Sequence, residues 1–224
     1  MSEESRRRLD QAVTTRRRAQ AVAGLRGIAQ GRRGAAPQAP ARVDEHCGLC
    51  NTTVPDTHRH LLHLDERRIV CVCETCWSLR SGDAEFRPCG HRTILLEQFD
   101  LPDEVWASLA IPIGLAFFMK SGSVGGVVAL YPSPAGATES ELDMSSWDDL
   151  VARNPILSGL ETDAEALVVN RLSEPRQYAI VPIDHCYGLV GMIKSRWEGI
   201  SGGDAVESAV GDFFGALRED LARR

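Results

Sequence analysis

Four cysteines stand in two CxxC pairs, Cys47 and Cys50 in CGLC and Cys73 and Cys76 in CETC, and their type and spacing suit a single metal ion. A two-residue gap folds the chain back so that both sulfurs of a pair meet one ion, and a structural zinc asks for four such ligands in a tetrahedron. Gly48 lies inside the first pair, where the backbone turns tightly. The second pair follows Cys50 after 22 residues, slightly more than the roughly 15 to 20 of paired zinc knuckles. Zn2+ is therefore the expected cofactor, held by Cys47, Cys50, Cys73 and Cys76.

Other residues nearby have ligand chemistry. His46, His58, His60, His63, Cys89 and His91 are alternatives, since a CxxC with two histidines also suits zinc. If residues 70–73 run as one strand, Cys71 and Cys73 share a face, and Cys71 competes for a ligand position or sits behind it. Iron is the competing metal. Rubredoxin-like iron knuckles place Gly after the second cysteine, where this chain has Asn51 and Trp77, and this favours zinc. Further along, His185 and Cys186 could be drawn as a nucleophile pair, but adjacent residues on an extended chain face apart and no local signature accompanies them. The glycines of WEGISGG precede a helix without a P-loop Lys or a dinucleotide fingerprint, so they read as a helix-start turn. No catalytic residue is expected, and the protein is read as non-enzymatic.

The elements that must position these groups follow from pattern. Residues 1–42 carry ten Arg against Glu3, Glu4 and Asp10, and end in the Gly- and Pro-containing GRRGAAPQAPAR. They are read as a disordered basic arm. Of 25 basic and 31 acidic residues in the chain, 15 and 28 fall outside the arm, so the remainder is acidic. Residues 43–92 are expected to form a treble-clef-like zinc module, in which HRHLLHLDERRIVCV reverses near Asp65 and Glu66 and CETCWSLR opens a helix. Residues 93–224 are expected to form an α+β domain. In it IGLAFFMK and VVALYP flank SGSVGG as one hairpin, EALVVNRL and QYAIVPI flank SEPR as another, and CYGLVGMIKSRW supplies a fifth strand after a loop at Asp184 and His185. Helices are expected at DLPDEVWASL, capped by Asp100, at SSWDDLVARN, capped by Ser145 or Ser146, and at the C-terminal segment, with Asp204 and Glu207 as a capping box. The sum is an antiparallel sheet of about five strands with packed helices. A polar start and the lack of any run approaching the roughly 20 apolar residues of a membrane span point to a cytoplasmic protein, in which cysteines at this spacing read as metal ligands rather than disulfides.

Several segments together resemble an uncharacterised family of actinobacterial proteins encoded beside high-affinity nickel-iron hydrogenases. These are CGLC and CETC with HRH between them, WASLAIPIGLAFF, YPSPAGATES, DAEALVV, VPIDHCYGLVG and WEGISGG, spanning about residues 46–215. The resemblance implies an accessory protein that acts through protein contacts in assembly, maturation or electron transfer of a hydrogenase, with the four cysteines as a zinc site. Two alternatives come from the residues themselves: a zinc-dependent nucleic-acid-binding regulator using the Arg clusters at 6–8 and 16–18, and a rubredoxin-like iron electron carrier.

Overall fold

Strands that are apolar at successive positions, as in LAFFM, VVAL and ALVV, need cover on both faces. The computed structural model describes residues 44–140, 144–197 and 203–223, and it provides that cover. The arm expected over residues 1–42, the glycine turn at 198–202 and the Asp204 side chain of the expected capping box lie outside the description. Residues 44–224 form one compact unit.

Its larger sheet has six strands, all antiparallel, in the order β4-β9-β8-β5-β6-β7. They are β4 (Ile94–Leu95), β5 (Leu115–Ser121), β6 (Gly126–Ser133), β7 (Gly136–Ser140), β8 (Glu165–Asn170) and β9 (Gln177–Pro182). The two expected hairpins are β5–β6 and β8–β9, and the short edge strands β4 and β7 extend the sheet beyond the five strands expected. Register aligns Ala129, Phe118, Leu167, Ile180 and Ile94 in one row across five strands, and Leu130, Phe117, Val168, Ala179 and Leu95 in the next. Because side chains alternate along a strand, the two rows face opposite sides. The first row packs against Trp147, Leu150, Leu157 and Leu109, from α3 (Met144–Arg153), the 3-10 turn Pro155–Gly159 and the end of α2 (Asp103–Ser108). Phe118 is fully buried there, its ring stacked on Trp147 at 5.7 Å. The second row packs against α4 (Ile183–Arg196) and α5 (Gly203–Arg223).

Helix α4 corrects the expected fifth strand at CYGLVGMIKSRW. A tyrosine and β-branched residues favour a strand locally, but Ile183, Cys186, Leu189, Val190 and Ile193 are the buried positions, and that spacing makes one stripe on a helix. With both sheet edges already formed, an apolar stripe is what the uncovered face requires. A second correction concerns α2: Pro102 rather than Asp100 precedes it and no side chain caps it, while the Asp100 carboxylate pairs with Arg153 at 3.1 Å.

A smaller sheet, in the order β2-β1-β3, comprises β1 (Arg59–His63), β2 (Arg68–Val72) and β3 (Phe86–Pro88), followed in sequence between β2 and β3 by α1 (Glu74–Arg80). The β1–β2 reversal falls where the sequence places it, and Leu61 pairs with Val70. The chain then fastens to the larger sheet. The Gly90 amide donates to the Ala164 carbonyl at 3.0 Å, and the Arg92 guanidinium forks onto the Glu165 carboxylate, with Nε to Oε1 at 2.8 Å. Among the described residues, no helix is long and apolar enough to cross a membrane.

Two substitutions test this arrangement. Gly188 is exposed on α4 and an added Cβ meets nothing within 4 Å; Gly188→Ala is expected to raise stability by about 0.5–1 kcal/mol in urea unfolding, as an interior helix position requires, and a loss would count against the helix. Arg92→Ala leaves the buried Glu165 carboxylate without its cationic partner, with the Glu161 amide at 3.2 Å still donating to it, and is expected to cost about 2 kcal/mol or more in the same measurement, with Arg92→Lys restoring only part because it cannot fork.

Candidate metal centre

Each pair of cysteines owes its geometry to a different local structure. In the first, the Cys47 amide donates to the Thr52 carbonyl and the Cys47 carbonyl accepts from the Asn51 amide, both at 2.8 Å. Asn51 adopts a φ of 61°, in the left-handed region that Asn tolerates better than most residues. The Gly48 amide donates to the Cys71 carbonyl at 2.8 Å, laying the knuckle along β2, and a Cβ at Gly48 would stand 2.8 Å from Val70 Cγ1. In the second pair, β2 ends at Val72 and Cys73 is the N-cap of α1, its sulfur accepting from the Cys76 amide at 3.5 Å. Cys76 lies in the first turn of that helix. Knuckle, hairpin and helix start are the parts of a treble clef.

The four sulfurs all lie within 4.8 Å of one another, and those of Cys50 and Cys73 are 3.7 Å apart. A tetrahedral ion with metal–sulfur bonds of about 2.3 Å sets its sulfurs about 3.8 Å apart, so the donor set fits such an ion. Electrostatics point the same way. Burial opposes charge on Cys47, but the amides of Cys73, Leu49 and Cys50 outweigh it and bring the thiol down to about 6. Thr52, by its amide and its side chain, lowers Cys50 as well. Cys76 is pushed up to about 12, first by burial and then by the sulfurs of Cys50, Cys47 and Cys73. Four thiolates so close together repel one another. Cys47, Cys50, Cys73 and Cys76 would hold a divalent cation as thiolates, and such a cation would supply the positive charge that favours those thiolates.

None of the alternative ligands belongs to this group. Cys71 is excluded because β2 stops at Val72: the chain turns into α1 at Cys73, so the two cysteines do not continue one strand face. His63 packs edge-on to Phe86 at 5.1 Å and accepts from the Glu66 amide. His46 forms an isolated bridge with Thr53. Burial pushes the Cys89 thiol up, with the Asp184 charge adding to it. Cys186 is fully buried in the core under α4, and burial holds its thiol well above the usual range. Sequence reasoning missed Asp184, read as part of a loop: it opens α4 and accepts from His60 Nδ1 at 2.7 Å. The i, i+2 spacing of His58 and His60 was available in the sequence, but no local signal brings Asp184 to them from 124 residues away.

Fold and site together define an α+β protein in which a treble-clef-like module with a four-cysteine group, able to bind a metal ion, is joined to a sheet covered on both faces. The chain belongs to the Family of unknown function (DUF5947), whose model matches residues 46–221. The comparison with curated proteins and that with solved structures each returned no match.

Gly48→Ala is expected to force Val70, packed at 2% exposure, out of place. The outcome should be a cost of about 1–3 kcal/mol to the module and weaker metal retention against a chelator, measured by competition with a chromophoric chelator; unchanged retention would mean the knuckle is not seated on β2 as described.

Proposed function

We propose that the four cysteines hold a structural Zn2+ and that the protein is a non-enzymatic accessory factor that binds another protein. The observation that carries the zinc reading is the sulfur geometry, 3.7 Å between Cys50 and Cys73 within a set spanning 4.8 Å. The set is closed by four thiols, which is the pattern of structural rather than catalytic zinc. Its second pair comes from a helix start and not from a second loop knuckle, which favours zinc over a rubredoxin-like iron centre. Two large apolar side chains of the module face solvent, Leu49 in the knuckle at 39% and Leu79 on α1 at 70% exposure. They support a protein-contact role. The resemblance of the sequence to proteins encoded beside nickel-iron hydrogenases directs the choice of partner to hydrogenase subunits and their maturation factors.

The test has two arms. Full-length protein purified without added metal is expected to carry zinc, and Cys73→Ser to lose one equivalent by elemental analysis and to melt at lower temperature, because metal binding contributes to the folding free energy of such modules; iron and visible colour would sink the zinc reading in favour of the electron carrier. Purified hydrogenase subunits and maturation factors are then titrated against the zinc-loaded chain. Saturable binding to one of them is expected. Flat responses to all, with salt-sensitive DNA binding that vanishes on deletion of residues 1–42, would replace the accessory role by the regulator.

A further inference from the structure

His60 lies on β1 with Cys71 as its cross-strand partner, and His58 stands just before that strand, two residues from His60. A ring nitrogen of each histidine and the Cys71 sulfur all lie within 4.8 Å of one another. His58 Nε2 and His60 Nε2 are 3.1 Å apart. The other nitrogen of each ring is already engaged: His58 Nδ1 with the Pro55 carbonyl at 2.9 Å, His60 Nδ1 with Asp184 Oδ2 at 2.7 Å. A carbonyl and a carboxylate only accept, so both Nδ1 atoms carry the hydrogen. In the neutral rings, two Nε2 lone pairs then confront each other. That contact is repulsive unless a positive charge lies between them, and two imidazoles on one tetrahedral ion, at about 2.05 Å each, have their nitrogens about 3.3 Å apart.

The surroundings match a ligand site. Asp184 and the Pro55 carbonyl do what second partners of metal-bound histidines do, fixing tautomer and ring orientation. Glu45 reaches 3.5 Å from His58 Nε2, and its side chain, 62% exposed, is free to exchange with other ligands. A cavity of about 390 Å³ adjoins the two histidines and Asp184, with Trp77, Cys89 and His91 in its wall.

We propose that His58, His60 and Cys71 form a second metal site, separate from the four-cysteine group, for a borderline divalent first-row ion such as zinc or cobalt. Two imidazoles and a thiolate select that class of ion. Three protein ligands with the fourth position taken by Glu45 or by a molecule from the cavity make this site exchangeable, whereas the four-thiol site is closed. Asp184 is a positioning residue, acting through His60.

Cobalt(II) is the probe, titrated anaerobically into metal-free full-length protein and followed by its visible and near-ultraviolet absorption. Two equivalents per chain are expected. His60→Ala, and independently the milder Cys71→Ser, should each remove one equivalent while leaving the intense sulfur-to-cobalt bands of the four-cysteine site. Asp184→Ala should keep the stoichiometry at saturation but weaken the second equivalent about 10- to 100-fold, a change that a merely structural contact would not confine to one site. A single equivalent in the unaltered chain that His60→Ala and Cys71→Ser leave in place would overturn the proposal and assign the 3.1 Å contact to a shared proton; so would retention of both equivalents in His60→Ala and Cys71→Ser. Failure of the four-cysteine reading looks different, because Cys73→Ser would then leave the cobalt count unchanged while His60→Ala still lowered it.

Discussion

Four sulfur atoms packed within 4.8 Å of one another create the constraint on which the N-terminal module rests. As free thiols they are weak partners for each other, and as thiolates they repel. A cation at their centre would turn the same crowding into a cross-link between the 47–50 knuckle and the start of α1. The module has little else to hold it, since its apolar cluster contains six buried residues, Cys47, Val54, Leu61, Val70, Val72 and Phe86. A core of that size does not offset the chain entropy of three strands and a helix, and small folds of this kind lean on a metal, disulfides or a larger neighbour.

Here the larger neighbour contributes as well. Leu62 of β1 belongs to the core under α4 rather than to the module's own cluster. Arg92 reaches back to Glu165 at the start of β8, the Gly90 amide bonds to Ala164 beside it, and Asp184 at the start of α4 accepts from His60. All three contacts converge where β8 begins and β9 passes into α4. That corner is rigid for a separate reason: β8 is central in the sheet and buried at every position from Glu165 to Asn170. The module is thus anchored to the least deformable part of the body, and side chains that span the two are held to a defined geometry.

Much of this was legible in local pattern. CxxC spacing, the reversal at Asp65 and Glu66, and the two hairpins of the larger sheet are short-range features whose residue types carry their own mechanism. The misreadings arose where long-range packing decided the outcome. CYGLVGMIKSRW has strand-like composition, yet its apolar positions at 186, 189, 190 and 193, continuing from Ile183, fit a helix, and only the need to cover the second sheet face selects between the two. The edge strands β4 and β7 are two and five residues long, too short to stand out as periodic runs. The condition under which Cys71 shares a face with Cys73, a strand continuing through residue 73, is not met, because β2 ends at Val72.

The same alternation explains why the hairpin presents different chemistry on its two faces. Leu61, Val70 and Val72 point into the module's cluster with Cys47, while Leu62 and Ile69 point toward the body's core, and His60 and Cys71 share that second face. The four-cysteine group and the His58, His60 and Cys71 group are therefore back to back across one pair of strands. Their backbones are continuous: the Cys71 carbonyl accepts from Gly48 in the knuckle, and Cys73 follows two residues later. Any shift in the register or twist of β2 moves residues of both groups together, because a strand within a paired ladder moves as a unit and a one-residue slip would exchange its faces. The histidines nevertheless keep supports of their own in the Pro55 carbonyl and the Asp184 carboxylate, so their orientation does not rest on the cysteines alone.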